Sequence, residues 1–500
     1  MIAVKVLARS AVVPAVAGLC AAAGQAPLDF WWLALPALSF LTFHVAEAAD
    51  ARARLWRGWC GGAGYFAATL FWIVEPFMVD PAKDGWMAPF ALIFMAGGMA
   101  LFWLMAAMIA GLGRGPANRA FGFAAGLAAT DLLRSYVLTG FPWALVGHFW
   151  IATPVGQMAA YVGPTGLSAL TMTLAVFPTL GKTARQCLAG IAVSGLVLAT
   201  IWGIGLMRLG SPEGPRPEPI RVRLVQPNAT QSLKWQPGMW DVFLDRQMQA
   251  TAAPQDKPLD LVIWPETAVP YLLEDAGDVI DEAVGRSGGV PVVMGIQRAE
   301  GARYFNSLMA TDAFGAVRAV YDKHHLVPFG EYMPFGDLFA QVGIHAFAAR
   351  EGNGYTAGAG AAVLDLGRAG KVLPLICYEA VFAQDLRAAP ERADWILQIT
   401  NDGWFGNLAG PYQHLAQARL RAIEQGLPLM RVANTGVTAA IDAKGRVLNS
   451  LPLNSEGWLD VEVPPSLAPT PYARWGDLPA TLLLAVSILA LALRRRARSG

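Results

Sequence analysis

Long apolar runs nearly free of charged residues dominate two parts of this chain, residues 1–209 and residues 478–493. Overall, 55% of the residues are hydrophobic and 15% are charged, whereas soluble proteins carry roughly 25% charged residues. A helix that crosses a bilayer needs about 20 mostly apolar residues. We therefore predict eight transmembrane helices, at about residues 8–24, 28–47, 58–75, 87–111, 118–136, 157–181, 186–207 and 478–493.

The rest of the chain has the composition of an ordinary globular domain and follows a Pro-rich linker at residues 210–219. Short apolar runs rich in β-formers alternate there with helical segments, which predicts an α/β domain over residues 220–470. The predicted organisation is a membrane domain of seven helices (1–209), the linker, the α/β domain, the eighth helix and a basic tail (494–500).

Basic residues are concentrated at one side of the predicted membrane helices. If the N-terminus is cytoplasmic, that side contains Lys5, Arg9, Arg52, Arg54, Arg57, Arg114, Arg119, Lys182, Arg185 and the tail. The short loops on the opposite side contain a single basic residue, Lys83. Because cytoplasmic loops are enriched in Lys and Arg, we predict that both termini are cytoplasmic and that the α/β domain is outside. The net charge of +1 argues mildly against a nucleic-acid partner.

Two charges, Asp131 and Arg134, lie one turn apart near the outer end of the fifth predicted span. Charges within a membrane are costly and usually form pairs or mark a site. We predict an ion pair at the end of that helix.

Cys377 is the only cysteine of the α/β domain, and Cys20, Cys60 and Cys187 fall in apolar runs. It follows the short apolar strand that ends at Ile376 and precedes Tyr378 and Glu379. The space outside a bacterial inner membrane is oxidising, so a single thiol there is either buried and inert or retained for chemistry. Position alone leaves both interpretations open, since free cysteines are often simply packed in a core.

An acid and a base also follow predicted strands. Glu266 comes after the strand that ends at Trp264, where partial burial would raise its pKa toward that of a useful base. Lys323 comes after the strand that ends at Tyr321, where it could stabilise an oxyanion. Since strand ends at one edge of an α/β fold converge, Glu266, Lys323 and Cys377 together predict one site.

The sequence gives no sign of a cofactor. The glycines at residues 352–354 lack the strand-then-helix context of a dinucleotide site. His324, His325 and His414 are scattered, and no group of His and Cys has the spacing of a zinc site. We therefore predict neither a metal nor a nucleotide.

Three blocks resemble the catalytic motifs of the nitrilase superfamily: residues 264–267, 321–331 and 376–379. The chain is similar over its whole length to the apolipoprotein N-acyltransferase family. Further blocks that carry this resemblance are residues 226–228, 234–235, 304–307, 400–406, 413–424 and 431–436. The resemblance implies an external nitrilase-like αββα sandwich joined to a polytopic α-helical membrane domain in the bacterial inner membrane.

For the chemistry, the resemblance implies a ping-pong acyl transfer without metal or cofactor. Cys377 would attack a phospholipid, typically phosphatidylethanolamine, and carry its acyl chain as a thioester. The acceptor would be the N-terminal amine of diacylglyceryl-cysteine on an apolipoprotein. Glu266 would accept the protons, while Lys323 and the Tyr378 N–H would hold the oxyanion.

The resemblance also implies further site residues. Glu331 and Glu379 would orient Lys323 and the amine, although salt bridges that serve only structure would explain them as well. Trp235, Asn306 and Trp404 would contact substrate, but tryptophans are more often core residues. The apolar residues of segment 333–357 are typical of a lid, or of an ordinary packed loop.

Two other functions remain open at this stage. A membrane-tethered amidase would use the same three residues with water as the second nucleophile. A transporter or scaffold with an inactive enzyme domain would not need Cys377 at all. The long membrane domain favours a lipid substrate, because a soluble amide needs no such domain.

Overall fold

The computed structural model describes residues 2–216, 218–234, 236–334 and 354–496. Its α-helices in these ranges are α1 (Ile2–Ala22), α2 (Trp31–Ala46), α3 (Ala51–Thr69), α4 (Ala88–Ala110), α5 (Gly115–Tyr136), α6 (Ala159–Val176), α7 (Ala184–Gly210), α8 (Met239–Ala252), α9 (Gly277–Arg286), α10 (Ala383–Arg387), α11 (Gly410–Gln425), α12 (Pro471–Trp475) and α13 (Leu478–Arg496).

Internal contacts divide the chain into two compact units. The first unit contains Met1–Pro212, Leu408–Ala416 and Thr470–Gly500. The second unit contains Glu213–Asn407 and Gln417–Pro469.

The first unit is helical at each of the eight positions where the sequence predicts a membrane span. Four segments among the described residues are long and apolar enough to cross a membrane: Gly85–Ala110, Pro154–Leu180, Ala184–Gly210 and Leu478–Arg495. Two further helices, Ala11–Ala22 and Trp31–Ala46, are apolar but shorter. The polytopic helical character is therefore supported, while the crossing of a membrane eight times stays a prediction.

Helix α3 differs most from the predicted span at 58–75. It begins at Ala51 because the Asp50 side chain accepts a hydrogen bond from the Ala53 N–H at 2.8 Å. It ends at Thr69, and the chain continues as a 3-10 helix. A Cβ on Gly64 would lie 2.0 Å from the Ala15 carbonyl oxygen, so α3 lies directly against α1.

The predicted pair of Asp131 and Arg134 is confirmed, and it does more than cap a helix end. Both side chains are buried, and Arg134 Nη2 lies 3.1 Å from Asp131 Oδ1. Arg134 Nη1 also donates to the carbonyl oxygens of Phe141 and Trp143, at 2.7 and 2.6 Å. The Ser168 hydroxyl donates to the other Asp131 oxygen at 2.9 Å. The pair therefore ties the 141–143 loop and α6 to α5.

The second unit contains two six-stranded sheets. The strands are β1 (Arg221–Gln226), β2 (Leu261–Ile263), β3 (Val292–Glu300), β4 (Arg303–Thr311), β5 (Val317–Asp322), β6 (Leu364–Asp365), β7 (Lys371–Ile376), β8 (Trp395–Thr400), β9 (Leu429–Ala433), β10 (Thr438–Ile441), β11 (Val447–Leu451) and β12 (Gly457–Glu462). The strand orders are β12-β1-β2-β3-β4-β5 and β11-β10-β9-β8-β7-β6. The two sheets contact each other through the strand pairs β1–β9, β11–β12, β1–β10 and β4–β7.

Helices α8 and α9 pack on the first sheet through a buried apolar cluster. Met248 of α8 and Ile280 of α9 lie there with Val262 and Met294 from the strands. The strands alternate their side chains between two faces, and burial of apolar side chains is the main stabilising contribution of such layers. The predicted α/β class is confirmed, and both sheets are mixed.

Strand direction brings the candidate residues to common edges. Strand β2 is parallel to β3, β4 is antiparallel to β3, and β5 is antiparallel to β4. Strands β2 and β5 therefore point the same way, so the residues that follow them emerge at one edge of the first sheet. Strands β7, β8 and β9 are parallel, so their carboxyl ends also share an edge of the second sheet.

Candidate active site

Glu266 lies in the loop after β2, almost completely buried. Its Oε1 accepts a hydrogen bond from Asn306 Nδ2 at 2.8 Å, and its Oε2 accepts one from the Asn401 N–H at 2.7 Å. Burial raises the pKa of Glu266, although the nearby Lys323 ammonium acts to lower it, and the Glu331 charge raises it further. The side chain is therefore suited to accept a proton.

Lys323 follows β5 directly and is 1% exposed. Its Nζ lies 2.8 Å from a Glu331 carboxylate oxygen and 3.7 Å from Glu266 Oε1. Burial acts to lower the pKa of Lys323, but the charges of Glu331 and Glu266 outweigh it and raise the pKa. The site therefore holds a permanent ammonium group between two carboxyl groups.

Cys377 is the first residue of a 3-10 turn that follows β7. Its φ of 51° is in the left-handed region, which costs an ordinary residue roughly 1–2 kcal/mol. Burial raises the pKa of the Cys377 thiol, the Glu266 charge raises it further, and Lys323 lowers it. The resting side chain is therefore a neutral thiol that needs a base, and Glu266 and Lys323 are both close enough to affect it.

The structure thus brings together the three residues that the sequence singles out at strand ends. Glu331 joins them, because its Oε1 accepts from Lys323 and from Asn306 Nδ2 at 3.0 Å. Its Oε2 accepts the Val327 N–H at 2.8 Å, which fixes the loop. A role for Glu331 in holding Lys323 agrees with this geometry.

Glu379 lies against the backbone on both sides of the site. Its Oε2 accepts the Ile376 N–H at 2.7 Å, and its Oε1 accepts the Tyr321 hydroxyl at 2.9 Å and the His324 N–H at 2.8 Å. Burial acts to lower the pKa of His324, but hydrogen bonds to Asp385 and Glu379 raise it to about 10. Glu379 therefore ties the turn at Cys377 to the chain around Lys323, while its predicted action on the amine stays a prediction.

The remaining predicted residues differ in how well they are placed. Asn306 is buried on β4 and bridges Glu266 and Glu331. The Tyr378 ring packs edge-on against Phe382, at 4.9 Å between ring centroids. Trp404 is half-buried in the turn after β8. Trp235 lies outside the described residues, as does most of the predicted lid.

Sequence reasoning assigned no role to several residues that meet at this site, although most of them lie in blocks that carry the family resemblance. Asn401 supplies a backbone N–H to Glu266. Thr400 lies next to Cys377 in the strand register and acts to lower the pKa of its thiol. Tyr355 is near enough to Glu331 and Glu266 for their charges to raise its pKa, after burial as the main cause. The position of Thr400 and Asn401 at the end of a strand was the available signal, the same one that revealed Cys377.

Lys234 is the fourth such residue. Its Nζ donates to Thr267 Oγ1 at 2.7 Å, and burial lowers its pKa to about 8 against the opposing charge of Glu266. It lines a small pocket together with Glu266, Trp240 and Phe243. Residues 234–235 carry the family resemblance, but nothing local in the sequence indicates that the Lys234 amine is buried.

Within the described ranges, no group of three or more His, Cys, Asp and Glu side chains is arranged to hold a metal ion. The arrangement of a buried thiol, a buried carboxyl group and a fixed ammonium group is that of a site for nucleophilic attack on a carbonyl compound.

Two family models match the chain. The apolipoprotein N-acyltransferase N-terminal domain matches residues 17–177, and the carbon-nitrogen hydrolase domain matches residues 221–472. Curated apolipoprotein N-acyltransferases are similar over nearly the full length. The protein of Caulobacter vibrioides is 38% identical over 94% of this chain and 92% of its own, and that of Rhodopseudomonas palustris is 36% identical over 98% and 96%.

Among solved structures, a mutant amidase from Nesterenkonia sp. AN1 with a covalent acetamide moiety at its active-site cysteine is 19% identical. It covers 51% of this chain and 94% of its own, with a TM-score of 0.36. A carbon-nitrogen hydrolase superfamily protein from Xanthomonas campestris is 22% identical, covers 53% and 97%, and has a TM-score of 0.35. Scores at this level carry no argument about function.

The matched domain and the two mixed sheets place the second unit in the carbon-nitrogen hydrolase class of enzymes. The identity and coverage of the curated relatives go further. The chain belongs to the apolipoprotein N-acyltransferase family, and it is an acyltransferase associated with membranes and lipoproteins.

Proposed function

We propose that this acyltransferase moves a fatty acyl chain from a phospholipid, through a thioester on Cys377, to the free N-terminal amine of diacylglyceryl-cysteine on an apolipoprotein. This transfer would be the last step of lipoprotein maturation. The observation that carries the proposal is the buried cluster of Glu266, Lys323 and Cys377, in a chain whose relatives are named for this activity.

In the first half of the reaction, Glu266 takes the proton of the Cys377 thiol and the thiolate attacks the ester carbonyl of the phospholipid. The raised pKa values of both groups support this step, because a weakly acidic thiol needs a comparably strong base. Lys323 remains charged and, with the Tyr378 N–H, stabilises the oxyanion. When the tetrahedral intermediate collapses, Glu266 gives its proton to the departing lysophospholipid oxygen, and the acyl group stays on the Cys377 sulfur as a thioester.

In the second half, the amine of the apolipoprotein attacks the thioester and Glu266 accepts its proton. The C–S bond then breaks, and Glu266 returns the proton to the Cys377 sulfur, which restores the thiol. The Asn306 side chain supports a binding position for this amine. Both carboxylates beside it can only accept hydrogen bonds, so its Nδ2 must face them, and its Oδ1 points elsewhere. That Oδ1 is buried and has no hydrogen-bond partner among the described residues, so an incoming N–H would satisfy it.

The proposed place of the enzyme is the bacterial inner membrane. Residues 1–209 form its membrane domain, residues 220–470 the periplasmic catalytic domain, and residues 478–493 the last span, with both termini cytoplasmic. The asymmetry of Lys and Arg supports this orientation. Phosphatidylethanolamine is the proposed donor, and the catalysis requires no metal or nucleotide, because the phospholipid supplies the activated acyl group.

The test uses the full chain in detergent micelles with isotope-labelled phosphatidylethanolamine and a synthetic diacylated lipopeptide. We expect Cys377→Ala to abolish both the acyl adduct on the Cys377 peptide, read by mass spectrometry, and acylation of the lipopeptide. Cys187→Ala, which removes a thiol from helix α7, serves as the matched control and should keep both. Turnover of simple amides without any lipid product would contradict the proposal in favour of a hydrolase.

A further inference from the structure

Four polar side chains lie completely or almost completely buried behind Cys377. Gln398 and Thr400 are on β8, Asp402 follows that strand, and Arg431 is on β9. Gln398 and Thr400 are two residues apart, so they lie on the same face of the sheet, and Gln398 is directly paired with Arg431 in the strand register. The strand that carries Cys377, β7, is the other neighbour of β8.

Arg431 is a buried cation whose three donor groups all have acceptors. It forms an ion pair with Asp402 Oδ2, donates to Gln398 Oε1 at 2.7 Å, and donates to the Val437 carbonyl oxygen at 3.1 Å. A buried guanidinium group is tolerated only with such complete pairing. Because one rigid fork holds both Asp402 and Gln398, their side chains have fixed positions relative to each other.

Gln398 contacts Cys377 directly, and Asp402 contacts Thr400, which lies next to Cys377. Gln398 Nε2 donates to the Cys377 carbonyl oxygen at 3.2 Å, which helps to hold the left-handed backbone of the nucleophile. Asp402 Oδ1 accepts the hydroxyl of Thr400 at 3.0 Å. Thr400 lies next to Cys377, because the residues directly before them, Ile399 and Ile376, are paired in the strand register, and a hydrogen bond from Thr400 acts to lower the pKa of the Cys377 thiol.

The direction of the Thr400 hydrogen bonds depends on the state of the thiol. A hydroxyl group has one hydrogen, and a carboxylate can only accept. While Asp402 receives that hydrogen, the Thr400 oxygen can only accept, which suits a neutral S–H donor. Once the thiol has lost its proton, the sulfur becomes an acceptor, and the same hydroxyl must turn its hydrogen toward it.

We propose that Thr400 is a catalytic residue whose hydroxyl turns from Asp402 to the Cys377 sulfur as the thiolate forms, and that Arg431 is the positioning residue that holds this arrangement. The thiol proton goes to Glu266, and no covalent bond of Thr400 breaks. Asp402 keeps its ion pair with Arg431 throughout. The inference rests on the proposed role of Cys377 as nucleophile.

The charges that face the sulfur show why such a donor matters. Burial is the largest cause that raises the pKa of the Cys377 thiol, and the charges of Glu266 and Asp402 raise it further. Against these act the Lys323 ammonium and the Thr400 hydrogen bond. Thr400 is thus a neutral group that stabilises the thiolate form of Cys377, whereas the negative charge of the neighbouring Asp402 destabilises it.

The test measures alkylation of Cys377 by iodoacetamide in the detergent-solubilised full chain, read on the Cys377 peptide by mass spectrometry across a range of pH. We expect Thr400→Val, which keeps the branched shape without the hydroxyl, to slow alkylation at neutral pH by about tenfold and to shift the profile to higher pH. Thr400→Ser, the matched control, should restore the rate and profile of the unaltered chain.

Coincident profiles for Thr400→Val, Thr400→Ser and the unaltered chain would overturn the inference. If Thr400→Val does not fold, Thr400→Ala removes the same hydroxyl without a branched side chain and carries the same expectation. Arg431→Lys keeps the charge but loses the fork, so acyl transfer should show a lower kcat at an unchanged KM. A kcat equal to that of the unaltered chain would overturn the positioning role.

Failure of the proposed function would look different. Alkylation that depends on Thr400, in a chain that forms no acyl adduct from phospholipid, would contradict the proposed function and leave this inference standing. Acyl transfer that depends on Cys377, with alkylation independent of Thr400, would contradict this inference alone.

Discussion

At the scale of single residues, the site consists of buried charged groups, one ammonium group and two carboxyl groups, that stabilise one another. Glu266 and Glu331 share one ammonium group, Lys323, and Asn306 donates a hydrogen bond to each carboxyl group. Buried charges are stable only when they are paired and hydrogen bonded. Removing one neutral partner should therefore change the proton equilibria of the charged groups.

Asn306→Ala should move the acid limb of the kcat/KM profile for acyl transfer to higher pH, by about one unit or roughly 1.4 kcal/mol. Burial is the main cause of the raised pKa of Glu266, and the hydrogen bond from Asn306 acts to lower that pKa, so its loss raises it further. The measurement is the rate of lipopeptide acylation across a range of pH. Asn449→Ala, on exposed strand β11, is the control, and an acid limb that does not move would contradict the prediction.

Lys234 provides a prediction about stability. Its ordinary pKa of 10.5 is lowered by burial to about 8 in the folded protein. Between these two values the unfolded chain binds a proton at Lys234 that the folded chain does not, so folding stability rises with pH across this window. The rise amounts to about 3 kcal/mol at 1.36 kcal/mol per unit.

Lys234→Met removes that buried amine with little change of volume. The difference in Tm, unaltered chain minus Lys234→Met, should therefore increase as the pH is raised from about 8 toward 10.5. Thermal unfolding in detergent at several pH values measures it. Lys257→Met, at an exposed position before β2, is the matched control, and a difference that stays constant with pH would contradict the prediction.

At the scale of elements, the loop after β2 depends on strand β3 beneath it. The Gly295 carbonyl oxygen accepts the Ala268 N–H at 2.8 Å, and the Gly295 N–H donates to the Pro265 carbonyl oxygen at 3.2 Å. A Cβ on Gly295 would lie 2.3 Å from that oxygen and 2.5 Å from the Glu266 Cα. Both neighbours are backbone atoms, which cannot move as a flexible side chain can.

Gly295→Ala should therefore displace the loop that carries Glu266. We expect a loss of stability of about 1–3 kcal/mol from overpacking, and a loss of acyl transfer of roughly a hundredfold, because small displacements of catalytic groups are costly. Thermal unfolding and lipopeptide acylation measure the two effects.

Gly285→Ala is the matched control for this substitution. A Cβ on Gly285 meets nothing within 4 Å, and the residue lies in helix α9. Alanine should stabilise that helix by about 0.5–1 kcal/mol and leave acyl transfer unchanged. Full activity in Gly295→Ala would show that the loop does not need this close contact.

Apolar runs in the sequence predict strands at 220–225, 259–264, 290–296, 306–311, 317–321, 372–376, 395–400, 429–433 and 438–441, and so miss β6, β11 and β12. Strand β6 is only two residues long, and β11 is mostly exposed. Strand β12 forms an edge through its antiparallel pairing with β1. Short or exposed edge strands of this kind bury few apolar side chains, so their hydrophobic pattern is weak and difficult to read from the sequence.

At the scale of the whole molecule, the prediction concerns the side of the membrane on which each domain and loop lies. The predicted topology places the catalytic domain outside and the loop between α4 and α5 in the cytoplasm. Phe314 of the catalytic domain is 92% exposed, and Arg114 in the 111–114 loop is also exposed. Each therefore offers an accessible position for a labelled cysteine.

In spheroplasts, a membrane-impermeant maleimide should label Phe314→Cys at once, and Arg114→Cys only after the membrane is permeabilised. Acyl transfer by both variants should be unchanged, since neither residue contacts the candidate site. The unaltered chain, with its four native cysteines, gives the background of labelling. Labelling of Arg114→Cys in intact spheroplasts together with a protected Phe314→Cys would reverse the orientation.

The sequence by itself determined the helical first unit and the α/β class of the second. It also indicated Glu266, Lys323 and Cys377 as candidate site residues. These features are local, because hydrophobic periodicity and strand ends can be read within a few residues. Asn306 was also predicted from the sequence, but only the tertiary structure shows that it bridges Glu266 and Glu331, and only the tertiary structure decided the contacts of Asn401, Thr400, Lys234, Asp402 and Arg431. Their places depend on strand register and on loops far apart along the chain, where hydrogen-bond partners are chosen by geometry and not by any local pattern.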